Sequence, residues 1–272
     1  MNPQKASTLV PLIYFLIKTF LKMAKKVNET GHIKNLAGFR ELIAFVKNYD
    51  RYRPTNPLVT IEALGNKYSV CVATLETFNE AETGLGEATR KRSAAYDRTR
   101  DLGSRIVAAL DGSNVPEETI RAALGLNRKL QGRRAKPREK PPIPAAGEAA
   151  AETDNTISVS QQSFDRLAEN LKKMRDLVKV QADYLPADEE LTVEALTRTI
   201  SNLEALNTEV GNAEADLADR RAKLDLEFYD DQGGMLALAK KVKGAVRSIY
   251  QVPSVEYRQL TAIHFKNLRK KP

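Results

Sequence analysis

The residues able to do covalent or metal chemistry are few and far apart. Cys71 is the single cysteine, and His32 and His264 are the only histidines. A cysteine nucleophile works as the thiolate and needs a base or cation beside it. Cys71 instead occupies an apolar helical stripe, so a buried structural thiol is expected. With one cysteine no intrachain disulfide forms, and nothing points to an oxidising compartment. No Cys-x-x-Cys, His-Glu-x-x-His or Glu-x-x-His pattern occurs, which argues against zinc and di-iron sites. Gly84-Leu85-Gly86 lacks the Gly-Lys of a phosphate-binding loop and lies in a helical pattern. The acidic cluster Asp188, Glu189, Glu190 and the pair Asp230, Asp231 are explained by a helix start and a loop as well as by a metal. No catalytic residue, metal ligand or cofactor-binding residue is therefore assigned, no cofactor is expected, and the chain is read as non-enzymatic.

The remaining candidate chemistry is electrostatic. Arg128, Lys129, Arg133, Arg134, Lys136, Arg138 and Lys140 stand against the single acid Glu139, and Lys266, Arg269, Lys270 and Lys271 close the chain. Such a set would neutralise phosphates without reading sequence. The competing reading, a solvated linker and tail, is preferred. Phe265 is the only aromatic residue among these charges, which disfavours recognition of single strands by base stacking. The formal net charge of +8 and pI near 9.4 make nucleic acid a possible partner, and also serve solubility alone.

These residues must be positioned by helices. Hydrophobic residues make up 42% and charged residues 29% of 272, a composition that folds. Residues Leu9–Leu21 form an apolar run broken by Lys18, too short for a spanning helix of about 20 residues. It reads either as an interfacial anchor followed by Lys22, Lys25 and Lys26, or as sequence preceding a functional start at Met23. The second is preferred, so that a membrane is expected as a partner only through residues 9–21. A cytoplasmic location is expected, with a peripheral membrane location as the alternative.

Two segments repeat at a spacing of 132. Between residues 52 and 85, 11 of 34 ungapped pairs are identical, among them Tyr52 with Tyr184, Pro54 with Pro186, Thr60 with Thr192 and Leu64 with Leu196. Ordinary composition gives about two such identities by chance. Downstream, the pairing needs an insertion near Tyr229–Gly234, after which each copy ends with an apolar helix, a turn (Asp111–Pro116, Gln251–Ser254) and a basic tail. The expected division is an N-terminal apolar and basic segment (1–30), repeat one (31–130), a linker rich in Pro, Ala and charge (131–160) and repeat two with a basic tail (161–272).

Each repeat is predicted to hold a short, a long and a short helix. The first covers about 34–50 and 161–183, the second about 57–98 and 189–229, and the third about 100–110 and 234–249, from apolar spacings of three and four. Ile61, Leu64, Tyr68, Cys71, Leu75 and Phe78 make a heptad seam, with Leu196, Ile200, Leu203 and Val210 in the second copy. Glu82, Glu214 and Asn207 interrupt it as solvated positions or as polar sites that set register. The fold class expected is all-α, an elongated antiparallel bundle of two tandem copies of a short-long-short helix unit. Two separate units on a string is the alternative.

The stretch AKKVNETGHIKNLAGF at 24–39, the two copies and the ending YQVPSVEYRQLTAIHFKNLRK at 250–270 resemble a family of uncharacterised bacterial duplicated helical-bundle proteins. The resemblance covers about residue 23 to the end. It implies the duplicated layout and transfers no site residue. The leading expectation is a non-enzymatic helical scaffold or protein-interaction module, with a protein partner or self-association. The alternatives are a basic, sequence-nonspecific nucleic-acid-associated protein and a peripheral membrane protein.

Overall fold

The computed structural model describes residues 31–133 and 162–269. Among these the chain is all-helical, with seven α-helices: α1 His32–Lys47, α2 Ile61–Asp111, α3 Glu117–Leu130, α4 Phe164–Lys179, α5 Val193–Tyr229, α6 Met235–Tyr250 and α7 Val255–Ala262. Short 3-10 turns, Pro57–Val59 and Glu189–Leu191, precede α2 and α5. The linker from residue 134 onward and the apolar run 9–21 lie outside the described residues.

The entry into each long helix is built twice in the same way. Asn56 and Asp188 accept from Leu58 N and Glu190 N, each at 3.0 Å, starting the two 3-10 turns. Thr60 and Thr192 accept from Ala63 N at 3.2 Å and Ala195 N at 3.3 Å, capping α2 and α5. Buried Tyr52 donates to Val59 O at 2.7 Å, and buried Tyr184 to Leu191 O at 3.0 Å. Every one of these pairs is 132 residues apart.

The chain divides into two compact units. Unit one holds α1, the start of α2 through Asn79, the end of α5 from Asp219, α6 and α7. Its core joins Phe39, Leu42 and Val46 to Leu64, Cys71, Phe228, Val242 and Leu260. Unit two holds the rest of α2, α3, α4 and the start of α5. There Ile106 and Leu110 meet Leu130, Leu171, Met174, Leu196 and Leu203. Each unit thus draws helices from both repeated segments.

Two boundaries differ from the sequence reading. The predicted break near residue 98 is absent, and 100–110 continues α2 to Asp111. Gly103 does not break the helix. It gives room to α3, because a Cβ there would lie 2.8 Å from Leu130 Cδ1 and 2.9 Å from Asn127 Oδ1. The third helix of the first repeat is instead α3, over residues 117–127, to which the sequence reading assigns no element, and the start of the basic tail at Arg128. Its start was legible in Pro116 followed by Glu117 and Glu118, with Arg128 and Lys129 in the last turn. In the second repeat the break expected near Tyr229–Gly234 is present, between α5 ending at Tyr229 and α6 starting at Met235. Asp230 Oδ2 accepts from Gln232 N at 3.0 Å and Gly233 N at 2.7 Å. At Gly234 a Cβ would lie 2.5 Å from Asp230 N and O, so the turn closes only around glycine.

Candidate functional site

Cys71 is fully buried and its Sγ contacts Glu227 O at 3.6 Å. Burial pushes its thiol up to about 12, so at neutral pH it is an uncharged core group. His32, in the first turn of α1, stacks edge-on against Phe228, with ring centroids 5.4 Å apart. Its Nδ1 is 2.9 Å from Tyr229 Oη. In the Nε2–H tautomer the hydroxyl donates to it. Burial lowers the His32 pKa and the Asp225 carboxylate opposes this in part. His264 is exposed. The structure brings neither histidine to the thiol among the described contacts. Among the described residues no group of three or more His, Cys, Asp or Glu could hold a metal ion.

The acidic cluster 188–190 is occupied by its own helix start and by α2. Arg105 Nη1 donates to Glu190 Oε2 at 2.8 Å, and its Nη2 pairs closely with Asp188. The Glu190 backbone N–H, then Arg105, hold the Asp188 carboxyl below its usual range. Beside this cluster unit two has a cleft of about 420 Å³, lined among others by Arg98, Thr99, Arg198 and Asn202. Its one buried hydroxyl, Thr99, donates to Tyr96 O at 2.7 Å. The cleft presents mixed charge and no nucleophile with a base.

Asn207 resolves one ambiguity of the seam. It is half-buried on α5 and its Nδ2 donates to Tyr96 Oη at 2.9 Å and Asp165 Oδ1 at 2.8 Å, joining α5 to α2 and α4. Glu82 and Glu214 are exposed, as solvated positions are.

Of the basic candidates, Arg128, Lys129 and Arg133 are exposed at the end of α3 and just beyond it, in unit two. There cations complement the helix C-terminus. Lys266 and Arg269 belong to unit one, in a segment we call the strap, residues 263–269, which follows α7. Asn35, only 1% exposed, donates Nδ2 to Lys266 O at 2.7 Å and accepts Lys266 N at 3.0 Å. Arg269 donates to Asp225 O at 3.4 Å. Arg134, Lys136, Arg138, Lys140, Lys270 and Lys271 lie outside the described residues.

The charge is unevenly shared. The described residues of unit one carry sixteen Lys and Arg against ten Asp and Glu, and those of unit two sixteen against twenty. The excess includes Lys240, Lys241, Lys243 and Arg247 on α6, a helix with no acidic residue. Sequence reasoning passed over these four because it searched for runs, and here cations alternate with core residues. The available signal was a helix of 16 residues with cations of one sign only. Among the described residues no helix is long and apolar enough to cross a membrane. Neither protein-family models nor curated proteins nor solved structures give a match to this chain.

Proposed function

We propose that the chain is a non-enzymatic scaffold, a tandem duplicate whose two helix entries keep one shape and present different surfaces to protein partners. The observation that carries this is what differs across the spacing of 132. Buried Tyr52 and Val59 and the capping Thr60 keep their kind in Tyr184, Leu191 and Thr192, while outward positions change from Asn48 to Val180, Arg53 to Leu185 and Leu58 to Glu190. Val180 is 74% and Leu185 83% exposed, and apolar side chains so exposed in one loop suit docking better than solubility. The fall of residue number on α5 as it rises on α2 supports antiparallel pairing. Lys67 meets Glu227 and Arg221 stacks on Phe78 in unit one, and Lys91 meets Glu209 in unit two. The bacterial family resemblance belongs with this reading.

The test is chemical crosslinking and mass spectrometry of the full chain in native cells, beside a Val180→Asp/Leu185→Asp double variant. The expected result is one defined partner, or a second copy of the chain, crosslinked near residues 180–188 and lost in the variant. Crosslinks indifferent to the double variant, or a turnover activity found in the purified protein, would overturn the reading.

A further inference from the structure

The charged residues of α6 are all cations. On a helix advancing about 100° per residue, Lys240, Lys243 and Arg247 fall within an arc of about 60°. They span about 10 Å along the axis at about 1.5 Å per residue. Gly244 lies beside this ridge, about 40° beyond Lys240, with nothing within 4 Å of where a Cβ would stand, so α6 offers its backbone there without a covering side chain. The opposite face, with Met235, Leu238, Ala239, Val242 and Val246, is buried in the core. None of the three cations makes an ion pair among the described residues, and neither α6 nor the strap contains an acid.

Lys243 is the built element of this surface. Its Nζ donates to Ile263 O at 2.6 Å and lies 5.3 Å from the centre of the Phe265 ring. Partial burial lowers its pKa. An ammonium has three donors, and one is used here on a neutral carbonyl. An anion placed at its remaining donors would restore the solvation that burial removed. Lys266 follows Phe265 on the strap, its backbone fixed by Asn35. The cations therefore sit on fixed backbone.

We propose that Lys240, Lys243 and Arg247 of α6, extended by Lys266 of the strap, bind the phosphate backbone of nucleic acid without reading its sequence. A nucleic acid fits better than an anionic membrane because the exposed residues of α6 are Lys240, Gly244, Arg247 and Ser248. Helices that lie in a membrane interface turn a broad apolar face toward the lipid, and the apolar face of α6 is committed to the core. The absence of stacking aromatics on the ridge suits duplex rather than single strands. This inference stands apart from the scaffold reading, which concerns residues 180–188.

The experiment is fluorescence anisotropy of a labelled mixed-sequence duplex of about 20 base pairs, titrated with the full-length chain at several salt concentrations. The three α6 cations imply a slope of log K against log salt near −2.7, or about a 40-fold loss between about 50 and 200 mM salt, and Lys266 would steepen it by about 0.9 more. Lys240→Gln/Arg247→Gln should make the slope shallower by about 1.8, from two lost contacts, with unchanged circular dichroism. That pair leaves Lys243 and its hold on the strap intact, and adding Lys243→Gln should remove most of the remainder. Neutralising Arg128, Lys129 and Arg133 together should leave the contribution of α6 in place. The proposal is overturned if the wild-type chain shows no salt-dependent binding or if the double variant keeps the wild-type slope. It is equally overturned if only the unit-two variant weakens binding. Retention on phosphatidylserine vesicles that the double variant abolishes while DNA binding is untouched would assign the ridge to lipid instead.

Discussion

Replacing Asn35 should release the strap while leaving the core of unit one folded. Asn35 sits in the first turn of α1 at 1% exposure and makes two hydrogen bonds to the backbone of Lys266, 231 residues away. Each such bond contributes about 0.5–1.5 kcal/mol net, so Asn35→Ala should cost about 1–3 kcal/mol. The upper part of that range is not expected, because Lys266 is exposed and water can re-solvate the freed N–H and C=O. Asn35→Asp separates the geometry from mere side-chain loss. Its carboxylate keeps the acceptor for Lys266 N but sets an acceptor against Lys266 O, and its burial raises the carboxyl pKa. A protonated Asp regains a donor. The Asp variant should therefore be the less stable of the two at neutral pH and recover relative to Ala as pH falls. Native-state hydrogen exchange reads this at one atom. The Lys266 amide should lose protection in both variants while the Leu64 and Val242 amides keep theirs. Unchanged protection at Lys266, or a uniform loss across unit one, would refute the idea that Asn35 acts as a local clasp.

Two further outcomes follow from single contacts. Gly234→Ala should destabilise by about 1–3 kcal/mol, as overpacking does, because the new Cβ meets backbone rather than a yielding side chain at 2.5 Å. A melting temperature equal to or above wild type would show that the Asp230 turn can move. His32 gives stability a defined pH dependence. Its imidazole has a folded pKa below the unfolded value near 6.5, so the unfolded chain binds the proton first. Its contribution is complete above pH 6.5 and declines as pH falls below that, until the folded imidazole is also charged. Urea midpoints at pH 7.5 and 5.5 should diverge more for wild type than for His32→Gln. Equal divergence would exclude His32 as the source.

Periodicity revealed α1, α4, α5 and α6 because each places apolar side chains at three-four spacing against one core. Phe39, Leu42 and Val46 did so in the sequence and are buried in the structure. The error at α2 and α3 has one cause. Apolar spacing alone places a break near residue 98, whereas the chain runs on through Gly103, whose role is steric, admitting Leu130 and Asn127 from α3. A close approach between residues 27 apart leaves no local trace. The division into units was hidden for a similar reason. Tyr52 and Tyr184 repeat visibly at 132, but the helices that pack together, such as α3 on α4 and α1 on α6 and α7, come from different repeats. Repetition reports which residues share a sequence pattern and says nothing of which copy supplies the neighbour.

Candidate binding residues were harder to read than core residues because charge density in sequence is a poor guide to charge density on a surface. The stretch 128–140 is dense in cations along the chain, yet its described part lies in a unit with more acids than bases. Lys240, Lys243 and Arg247 are diluted by Val242, Ala245 and Val246 in the sequence. Helical geometry then removes the diluting residues from view by turning them into the core. The physical quantity that matters for a polyanion is unpaired charge per exposed area on fixed backbone. By that measure an amphipathic helix with a one-sign charged face is favoured, because its cations ride on backbone already fixed and fewer degrees of freedom are lost when the ligand binds.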